Sequence, residues 1–196
     1  MYKRLQSLKL NSVSKVLPFK ISVLVFLKDA GGRFLLIQRS KEPNFGCWSP
    51  IGGKLEMDIG ESPYQCAIRE TFEETGHVIK ESNLHLFAMV SEKAYQNQNH
   101  WLMFLFTVDK PLPQLPPSID EGEFGFFDRA EIDRLKIPKT DQKILWSIYD
   151  QYSENFVCLR ADGLATDNIE IHWEQDPIGG CRSDIDIENL AKTTEH

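Results

Sequence analysis

The segment from Ser62 to Gly76 constrains the fold more than any other part of the sequence, because both of its ends carry helix-capping residues. Ser62 is a favoured N-cap, Pro63 suits the first helical position, and Gln65 completes a Ser-x-x-Gln capping box. Gly76 suits the left-handed position that ends a helix. The pattern predicts a helix whose core-facing stripe comprises Tyr64, Ala67, Ile68, Thr71 and Phe72.

Three acidic residues of this predicted helix stand close together. Glu70, Glu73 and Glu74 lie at i, i+3 and i+4, so they share one helix face, which we expect to lie opposite the apolar stripe. Like charges at this spacing repel each other and destabilise a helix. A divalent cation removes that penalty, and carboxylate oxygens suit Mg²⁺, which shares its coordination shell with waters and substrate phosphates. The spacing therefore indicates a metal-binding face.

Composition and charge narrow the class of protein. The 196 residues are 41% hydrophobic and 26% charged, which is typical of a globular protein with a sizeable core. The net charge of −7 argues against a surface for nucleic acid polymers, and no apolar run approaches the ~18–20 residues that span a bilayer. The four cysteines show no CxxC spacing, which favours free thiols in a cytoplasmic protein; they are Cys47, Cys66, Cys158 and Cys181.

Apolar segments on both sides of the helix predict a sheet. Residues 20–28 and 33–39 flank the turn at 29–32, which predicts a hairpin. Further strands are predicted at 84–94, 100–108 and 121–127, an amphipathic helix at 140–152, and a hairpin formed by 156–160 and 169–173. We divide the chain into a basic N-terminal segment (1–19), a main domain (20–152) and a C-terminal extension (153–196) whose tail from Gly179 we expect to be poorly ordered.

The sequence around the helix resembles the Nudix box, G-x5-E-x7-R-E-U-x-E-E-x-G-U, where U is a bulky aliphatic residue. Glu61 is followed by seven residues and then by RETFEETG, which is Arg69 to Gly76. Two features depart from the pattern. Gly53 and Glu61 enclose seven residues rather than five, and two positions that usually hold aliphatic residues are occupied by Thr71 and His77. Neither departure removes a charged residue of the box.

The resemblance implies an α/β protein with the Nudix fold, an α/β/α sandwich around a mixed β-sheet, here with the C-terminal hairpin as an extension. It implies that Glu70, Glu73 and Glu74 bind Mg²⁺ or Mn²⁺ and that one of them orients or deprotonates the attacking water. The Gly52 carbonyl would complete the metal shell, and Arg69 would pair with Glu61.

A further metal-binding glutamate is expected in a later loop, on the same resemblance. Glu121 and Glu123 are the candidates, and Glu121 is the one we assign. Arg39 and Lys54 are candidate contacts for substrate phosphates, although either could be a surface charge.

The resemblance implies hydrolysis of a phosphoanhydride bond in a nucleoside diphosphate linked to another group. The segment GCWSPIGGKLE is similar to the branch that converts nucleoside triphosphates, oxidised purine forms included, to monophosphate and pyrophosphate. Alternatives are an ADP-ribose or nucleotide-sugar pyrophosphatase, a non-catalytic module that senses nucleotides, and a scaffold that uses the C-terminal hairpin for association. A monomer or homodimer that binds no membrane is expected.

Overall fold

The computed structural model describes residues 16–42, 44–95, 97–162 and 170–176. Its elements, in chain order, are β1 (Phe19–Phe26), β2 (Phe34–Arg39), β3 (Trp48–Ser49), α1 (Pro63–Thr75), a 3-10 turn (Glu81–Asn83), β4 (Leu84–Tyr95), β5 (Asn99–Val108), β6 (Gly122–Phe127), α2 (Arg129–Ile132), α3 (Lys139–Lys143), α4 (Leu145–Tyr152), β7 (Val157–Asp162) and β8 (Glu170–Gln175).

The strands form two sheets. The larger sheet is mixed and has the order β1-β5-β4-β7-β8, in which β1 runs parallel to β5 and β7 runs parallel to β4. The smaller sheet is antiparallel and has the order β3-β2-β6. Helices and sheets together make the α/β architecture with a mixed sheet that the sequence predicts.

Two apolar clusters hold the layers together. One joins α1 to β1, β2 and β5 through Ala67, Val25, Leu35 and Phe106. The other lies on the side of α4, where the fully buried Trp146 packs edge-on against the rings of Phe26 and Phe34, at 5.3 Å and 5.1 Å. Burial of such aromatic rings dominates the energetics of a core. Helix α1 and its acids are therefore fixed on a rigid base.

The predicted hairpin of the first two strands forms only at its turn. The Asp29 carboxylate accepts hydrogen bonds from Gly31 N–H and Arg33 N–H, both at 2.9 Å, and Leu35 N–H donates to the Leu27 carbonyl at 2.8 Å. Beyond that point the two strands separate, because β1 pairs with β5 and β2 pairs with β6. The predicted hairpin is therefore limited to the strand ends beside the turn, since both strands find longer partners far along the chain.

The predicted helix at 140–152 is interrupted. Ile144 has φ −107° and ends α3, and α4 begins at the next residue. The predicted inward residues are all buried, namely Ile144, Leu145, Ile148 and Tyr152.

The C-terminal hairpin is confirmed, and it belongs to the larger sheet. Strand β7 pairs with β8 and also lies parallel to β4, and it contributes Val157, Leu159 and Ala161 to the core. Residues 1–15 and the tail from Gly179 lie outside the described residues, so the expectations for both ends remain predictions. Among the residues that the structure describes, no helix is long and apolar enough to cross a membrane.

Candidate active site

Helix α1 begins and ends where the capping residues predict. The Ser62 hydroxyl accepts a hydrogen bond from Gln65 N–H at 3.2 Å, and the Gln65 side chain accepts one from Ser62 N–H at 2.9 Å. Gly76 has φ +70°, and its N–H donates to the Phe72 carbonyl at 2.8 Å. Both helix ends are thus fixed by local contacts, and the acids between them keep a defined orientation.

Arg69 is the cation that holds the acids of this region in place. Its Nε and Nη2 atoms donate to the two carboxylate oxygens of Glu61 at 2.8 Å and 2.9 Å, which is the bidentate geometry favoured for arginine. Its Nη1 donates to Glu70 at 2.8 Å and to Glu73 at 2.9 Å, and its Nη2 also donates to the Lys54 carbonyl at 3.1 Å. One guanidinium therefore ties three carboxylates to the loop before the helix.

Glu74 is held differently from the other acids of α1. Its carboxylate accepts a hydrogen bond from Gly52 N–H at 3.3 Å, and the residue is only 7% exposed. The expectation that all three acids lie opposite the buried stripe was therefore wrong for Glu74, whereas the Glu73 side chain is 55% exposed. Phe72, predicted to face the core, is also 55% exposed. The buried stripe is rotated from the predicted one, because the loop at Gly52 covers the helix on the Glu74 side.

Burial and mutual repulsion perturb the acids of this cluster. Burial, with added repulsion from Glu70 and Glu121, raises the pKa of Glu74 to about 8, against the opposing influence of the Gly52 N–H and Arg39. Burial also raises the pKa of Glu70, and the nearby Arg69 opposes that shift. By contrast, the hydrogen bonds from Arg69 hold the pKa of Glu61 below its ordinary value. Carboxyls whose pKa is raised by crowding are typical of a site that gains a cation.

Two glycines allow the backbone to approach the acids. A Cβ on Gly53 would lie 2.1 Å from a carboxylate oxygen of Glu70, and a Cβ on Gly52 would lie 2.3 Å from the Val23 carbonyl oxygen. Gly52 also has φ +140°, a conformation that L-residues rarely adopt. Only glycine fits at position 52 while the loop stays against β1, and a side chain at position 53 would displace the Glu70 carboxylate.

The two extra residues of the box form a surface turn. Residues 57–60 make the turn, which is closed by the Gly60 N–H to the Met57 carbonyl at 3.3 Å and by the Glu61 N–H to the Glu56 carbonyl at 3.2 Å. The Glu61 carboxylate in addition accepts from Glu56 N–H at 2.9 Å. The insertion therefore lengthens the loop and leaves the Glu61–Arg69 pair intact.

The predicted later-loop ligand lies beside the cluster. The negative charge of Glu121 is close enough to raise the pKa of both Glu70 and Glu74. Glu121 is the last residue of the loop before β6. Of the two predicted phosphate contacts, Arg39 is half-buried and lies within electrostatic range of Glu74, and Lys54 is exposed. Their contact with substrate stays a prediction.

The oxygen-rich cluster fits a divalent cation by its donor chemistry. Glu70, Glu73 and Glu74 each use one carboxylate oxygen in the contacts above, and within the described residues the other oxygen of each accepts no hydrogen bond. In the described part of the chain, no three Asp, Glu, His or Cys side chains already converge as metal ligands. Metal binding therefore requires Glu70 and Glu73 to turn from Arg69 toward a point that Glu74 also reaches. Hard oxygen donors of this kind suit Mg²⁺.

A second pair of acids, which sequence reasoning missed, lies near Arg39. Glu92 of β4 and Asp141 of α3 line one small cavity, and Arg39 lies within electrostatic range of Asp141 as well as of Glu74. No motif spacing connects these two residues, because the pairing of strands and the packing of α3 bring them together. Glu92 alternates with the apolar residues Ala88, Val90 and Ala94, so a charged residue on an otherwise apolar strand face was the one available signal.

Comparison with known proteins identifies the family. The NUDIX domain profile matches residues 18–151, which is more than half of the chain. A solved structure described as a MutT protein from Bacillus halodurans superposes with a TM-score of 0.63, covering 81% of this chain and 99% of that one at 21% identity. The chain therefore belongs to the Nudix family and is a Nudix hydrolase that acts on nucleotide-linked substrates.

The curated relatives include one protein named as a Nudix hydrolase and two enzymes named for different substrates. An uncharacterized Nudix hydrolase of Bacillus subtilis, YvcI, is 32% identical over 114 residues, which are 58% of this chain and 69% of the relative. An ADP-ribose pyrophosphatase of Methanocaldococcus jannaschii is 30% identical over 107 residues (55% and 61%). A dihydroneopterin triphosphate diphosphatase of Haemophilus influenzae is 37% identical over 67 residues (34% and 39%). Nudix hydrolases generally use divalent metal ions, which agrees with the oxygen-rich cluster described above.

Proposed function

We propose that this protein hydrolyses a (deoxy)nucleoside triphosphate, oxidised purine forms included, to the monophosphate and pyrophosphate, with Mg²⁺ or Mn²⁺ as cofactor. The observation that carries the proposal is the cluster of Glu70, Glu73 and Glu74, each with one carboxylate oxygen that accepts no hydrogen bond among the described residues. A module that only senses nucleotides would not need Glu70, Glu73 and Glu74. Because all three are present, hydrolysis is favoured over sensing alone.

The three glutamates, the Gly52 carbonyl and Glu121 would hold the metal. When bound, a divalent cation neutralises the charge of the phosphates and lowers the pKa of a coordinated water. Glu74 has to lose its proton before it can act as a ligand, because burial raises its pKa to about 8. The Gly52 N–H supports the ionised form through its hydrogen bond to Glu74.

Arg69 serves as a positioning residue in this proposal. It contacts Glu70 and Glu73 from the side of Glu61 and the Lys54 carbonyl, so it limits how far either ligand can move. Arg39, within electrostatic range of Glu74, is the first candidate for contact with a phosphate, and Lys54 is the second.

The alternative substrate is ADP-ribose, which is favoured by the 30% identity to a relative named as an ADP-ribose pyrophosphatase. One observation supports the triphosphate instead. The segment before the helix, GCWSPIGGKLE, resembles the triphosphate branch.

A substrate panel tests the proposal. The four dNTPs, the four NTPs, 8-oxo-dGTP, ADP-ribose and a nucleotide sugar are incubated with the full chain and Mg²⁺, and nucleotide products are separated by chromatography. We expect monophosphate and pyrophosphate from at least one triphosphate, at a kcat/KM that exceeds the value for ADP-ribose by at least ~10-fold. Preferred cleavage of ADP-ribose or of the sugar would replace the proposal with the alternative, and no turnover of any compound would contradict catalysis.

A further inference from the structure

Glu121, the predicted later-loop ligand, lies in a two-residue turn. Ile119 and Gly122 flank the turn, where Ile119 N–H donates to the Gly122 carbonyl at 3.0 Å and Gly122 N–H donates to the Ile119 carbonyl at 3.1 Å. Asp120 and Glu121 occupy the two central positions, and both are exposed. The hydrogen bonds that close the turn do not use the carbonyls of these two central residues.

The turn has few other contacts that fix its position. In the described part of the chain, no hydrogen bond or ion pair holds the Glu121 side chain. Residues 113–118, which precede the turn, form no backbone hydrogen bonds with described residues. The position of the Glu121 carboxylate therefore depends on the backbone that carries it.

Ser40, the residue that follows β2, contacts the carbonyls of both central residues of the turn. Its N–H donates to the Glu121 carbonyl at 2.8 Å, and its hydroxyl donates to the Asp120 carbonyl at 2.7 Å. These carbonyls belong to the two planar peptide units on either side of the Glu121 Cα. Because those two planes determine the direction of the Cα–Cβ bond, Ser40 sets the direction in which the Glu121 side chain leaves the turn.

Ser40 is a firm anchor because the end of β2 is bonded on both edges. On one edge, Arg39 N–H donates to the Cys47 carbonyl at 3.0 Å, and the Arg39 carbonyl accepts from Gly46 N–H at 2.8 Å. On the other edge, β2 pairs with β6 along its whole length. The serine is therefore fixed by the sheet and by the loop that follows it.

The anchored turn lies beside the acids of α1. The charge of Glu121 raises the pKa of Glu70 and Glu74, so its carboxylate lies within electrostatic range of both. Coordination of a metal by Glu121 leaves the two Ser40 hydrogen bonds intact, since they use only backbone oxygens of the turn. Arg69, by contrast, contacts the carboxylates of α1 directly.

We propose, on the basis of the function proposed above, that Ser40 is a positioning residue for metal binding by Glu121. In this role Ser40 contacts neither the metal nor the substrate. It fixes the turn before the metal binds, so Glu121 loses less conformational entropy on coordination. Arg39, the first candidate for contact with a phosphate, is the preceding residue, so consecutive residues at the end of β2 serve the substrate and the metal.

Metal binding in the absence of substrate tests the proposal. The full chain is treated with EDTA, desalted at pH 8 and titrated with Mn²⁺, and unbound Mn²⁺ is quantified from its EPR signal. We expect Ser40→Ala to raise the Kd for Mn²⁺ by about 3- to 10-fold, which is the net contribution of one ordinary hydrogen bond. Ser40→Thr keeps the hydroxyl, so its Kd should stay within about 2-fold of wild type.

The matched control is Ser118→Ala. Ser118 is an exposed serine in the same loop, and it forms no hydrogen bond with described residues. The same change of side chain is therefore made close to the turn without loss of a contact. Its Kd for Mn²⁺ should equal that of the wild type.

A double-mutant cycle shows whether Ser40 acts through Glu121. Glu121→Gln removes the charge of the ligand and should raise the Kd by at least ~10-fold. In that background Ser40→Ala should add less than about 2-fold, because a residue that only positions the Glu121 carboxylate has no further effect once that carboxylate is gone. A serine that merely stabilises the fold would raise the Kd by the same factor in both backgrounds.

The outcomes separate this inference from the proposed function. If the wild type binds Mn²⁺ and Ser40→Ala matches Ser118→Ala, the role of Ser40 is overturned and the metal site stands. Equal effects of Ser40→Ala in both backgrounds, or wild-type affinity in Glu121→Gln, overturn it as well. If the cycle gives the expected result and no triphosphate is hydrolysed, the proposed function fails and the role of Ser40 stands. A wild-type chain that binds no Mn²⁺ contradicts both.

Discussion

The acids of α1 and the acids of the β4–α3 cavity carry similar charges in different settings. On α1, Arg69 contacts Glu61, Glu70 and Glu73, so most of the negative charge has a fixed cation within 3 Å. In the cavity, Glu92 has no such contact among the described residues, and Asp141 has a long hydrogen bond from Thr140 and the more distant Arg39. In the first arrangement a shared cation opposes the cost of burying negative charge, whereas in the second arrangement burial raises the pKa of both acids to about 7.

Removal of the shared cation should have the largest effect on the α1 cluster. Arg69→Met leaves Glu61 and Glu70, whose side chains are 5% and 13% exposed, without their partner. Breaking a buried ion pair costs about 3–5 kcal/mol, which corresponds to a Tm lower by on the order of 10 °C for a chain of this size. Urea denaturation at pH 7 measures the change.

The control for this variant is Arg33→Met. Arg33 pairs with Asp29 at 2.7 Å in a turn where the arginine is 50% exposed, and exposed pairs contribute about 0–1 kcal/mol. If the free energy of unfolding decreases equally in the two variants, Arg69 is an ordinary surface cation and does not fix the metal ligands.

Neutralising Glu74 should abolish most of the activity and leave the fold intact. Glu74→Gln keeps the shape of the side chain and an acceptor for Gly52 N–H, but it removes the charge of a metal ligand. We expect turnover to fall at least ~100-fold, about 2.7 kcal/mol, since the bound metal supplies several kcal/mol of transition-state stabilisation. Turnover under saturating Mg²⁺ and Tm are measured together, with Glu81→Gln as the control. Full activity would show that Glu74 does not hold the metal.

The acids of the two regions should make the metal-free protein less stable as pH rises. The pKa of Glu74 is raised to about 8 and those of Glu92 and Asp141 to about 7, so between pH 5.5 and 8 the folded state keeps protons that the unfolded state has released. Stability therefore falls with pH in this window. We expect Tm in EDTA to decrease by several degrees from pH 5.5 to 8, and the decrease to be smaller in Glu74→Gln. The lowered pKa of Glu61 does not interfere, because Glu61 is ionised in both states there. A Tm that rises across the window would contradict the assignment.

Shortening the surface turn of the box should have the smallest effect. Met57 and Ile59 are 65% and 69% exposed, and the turn makes its hydrogen bonds within residues 56–61. Deletion of Asp58 and Ile59 restores the usual spacing, and we expect turnover within about 2-fold of wild type and a stability change below about 0.5 kcal/mol. A large loss of metal-dependent turnover would show that the insertion takes part in the site.

The sequence predicted those features of the structure that depend on contacts between residues close together in the chain. The caps at Ser62 and Gly76 and the Arg69–Glu61 pair depend on contacts within a few turns of chain, so the sequence contains them. The burial of Glu74 depends on the loop at Gly52, and the separation of β1 from β2 depends on β5 and β6. The cavity acids come together only after β4 and α3 pack against each other. Contacts of that kind leave no periodicity or spacing in a single sequence.

The dependence of product formation on metal tests the central claim most directly. The full chain is treated with EDTA, desalted, and assayed at increasing Mg²⁺ with the triphosphate that the substrate panel favours, and its monophosphate product and pyrophosphate are quantified in the same samples. We predict no turnover without metal, saturable activation by Mg²⁺ with equal amounts of the two products, and an apparent metal affinity that increases from pH 6 to pH 8 as Glu74 ionises. Turnover that persists in EDTA, or activation by Mg²⁺ that Glu74→Gln leaves unchanged, would contradict the account of α1 as a metal-binding helix.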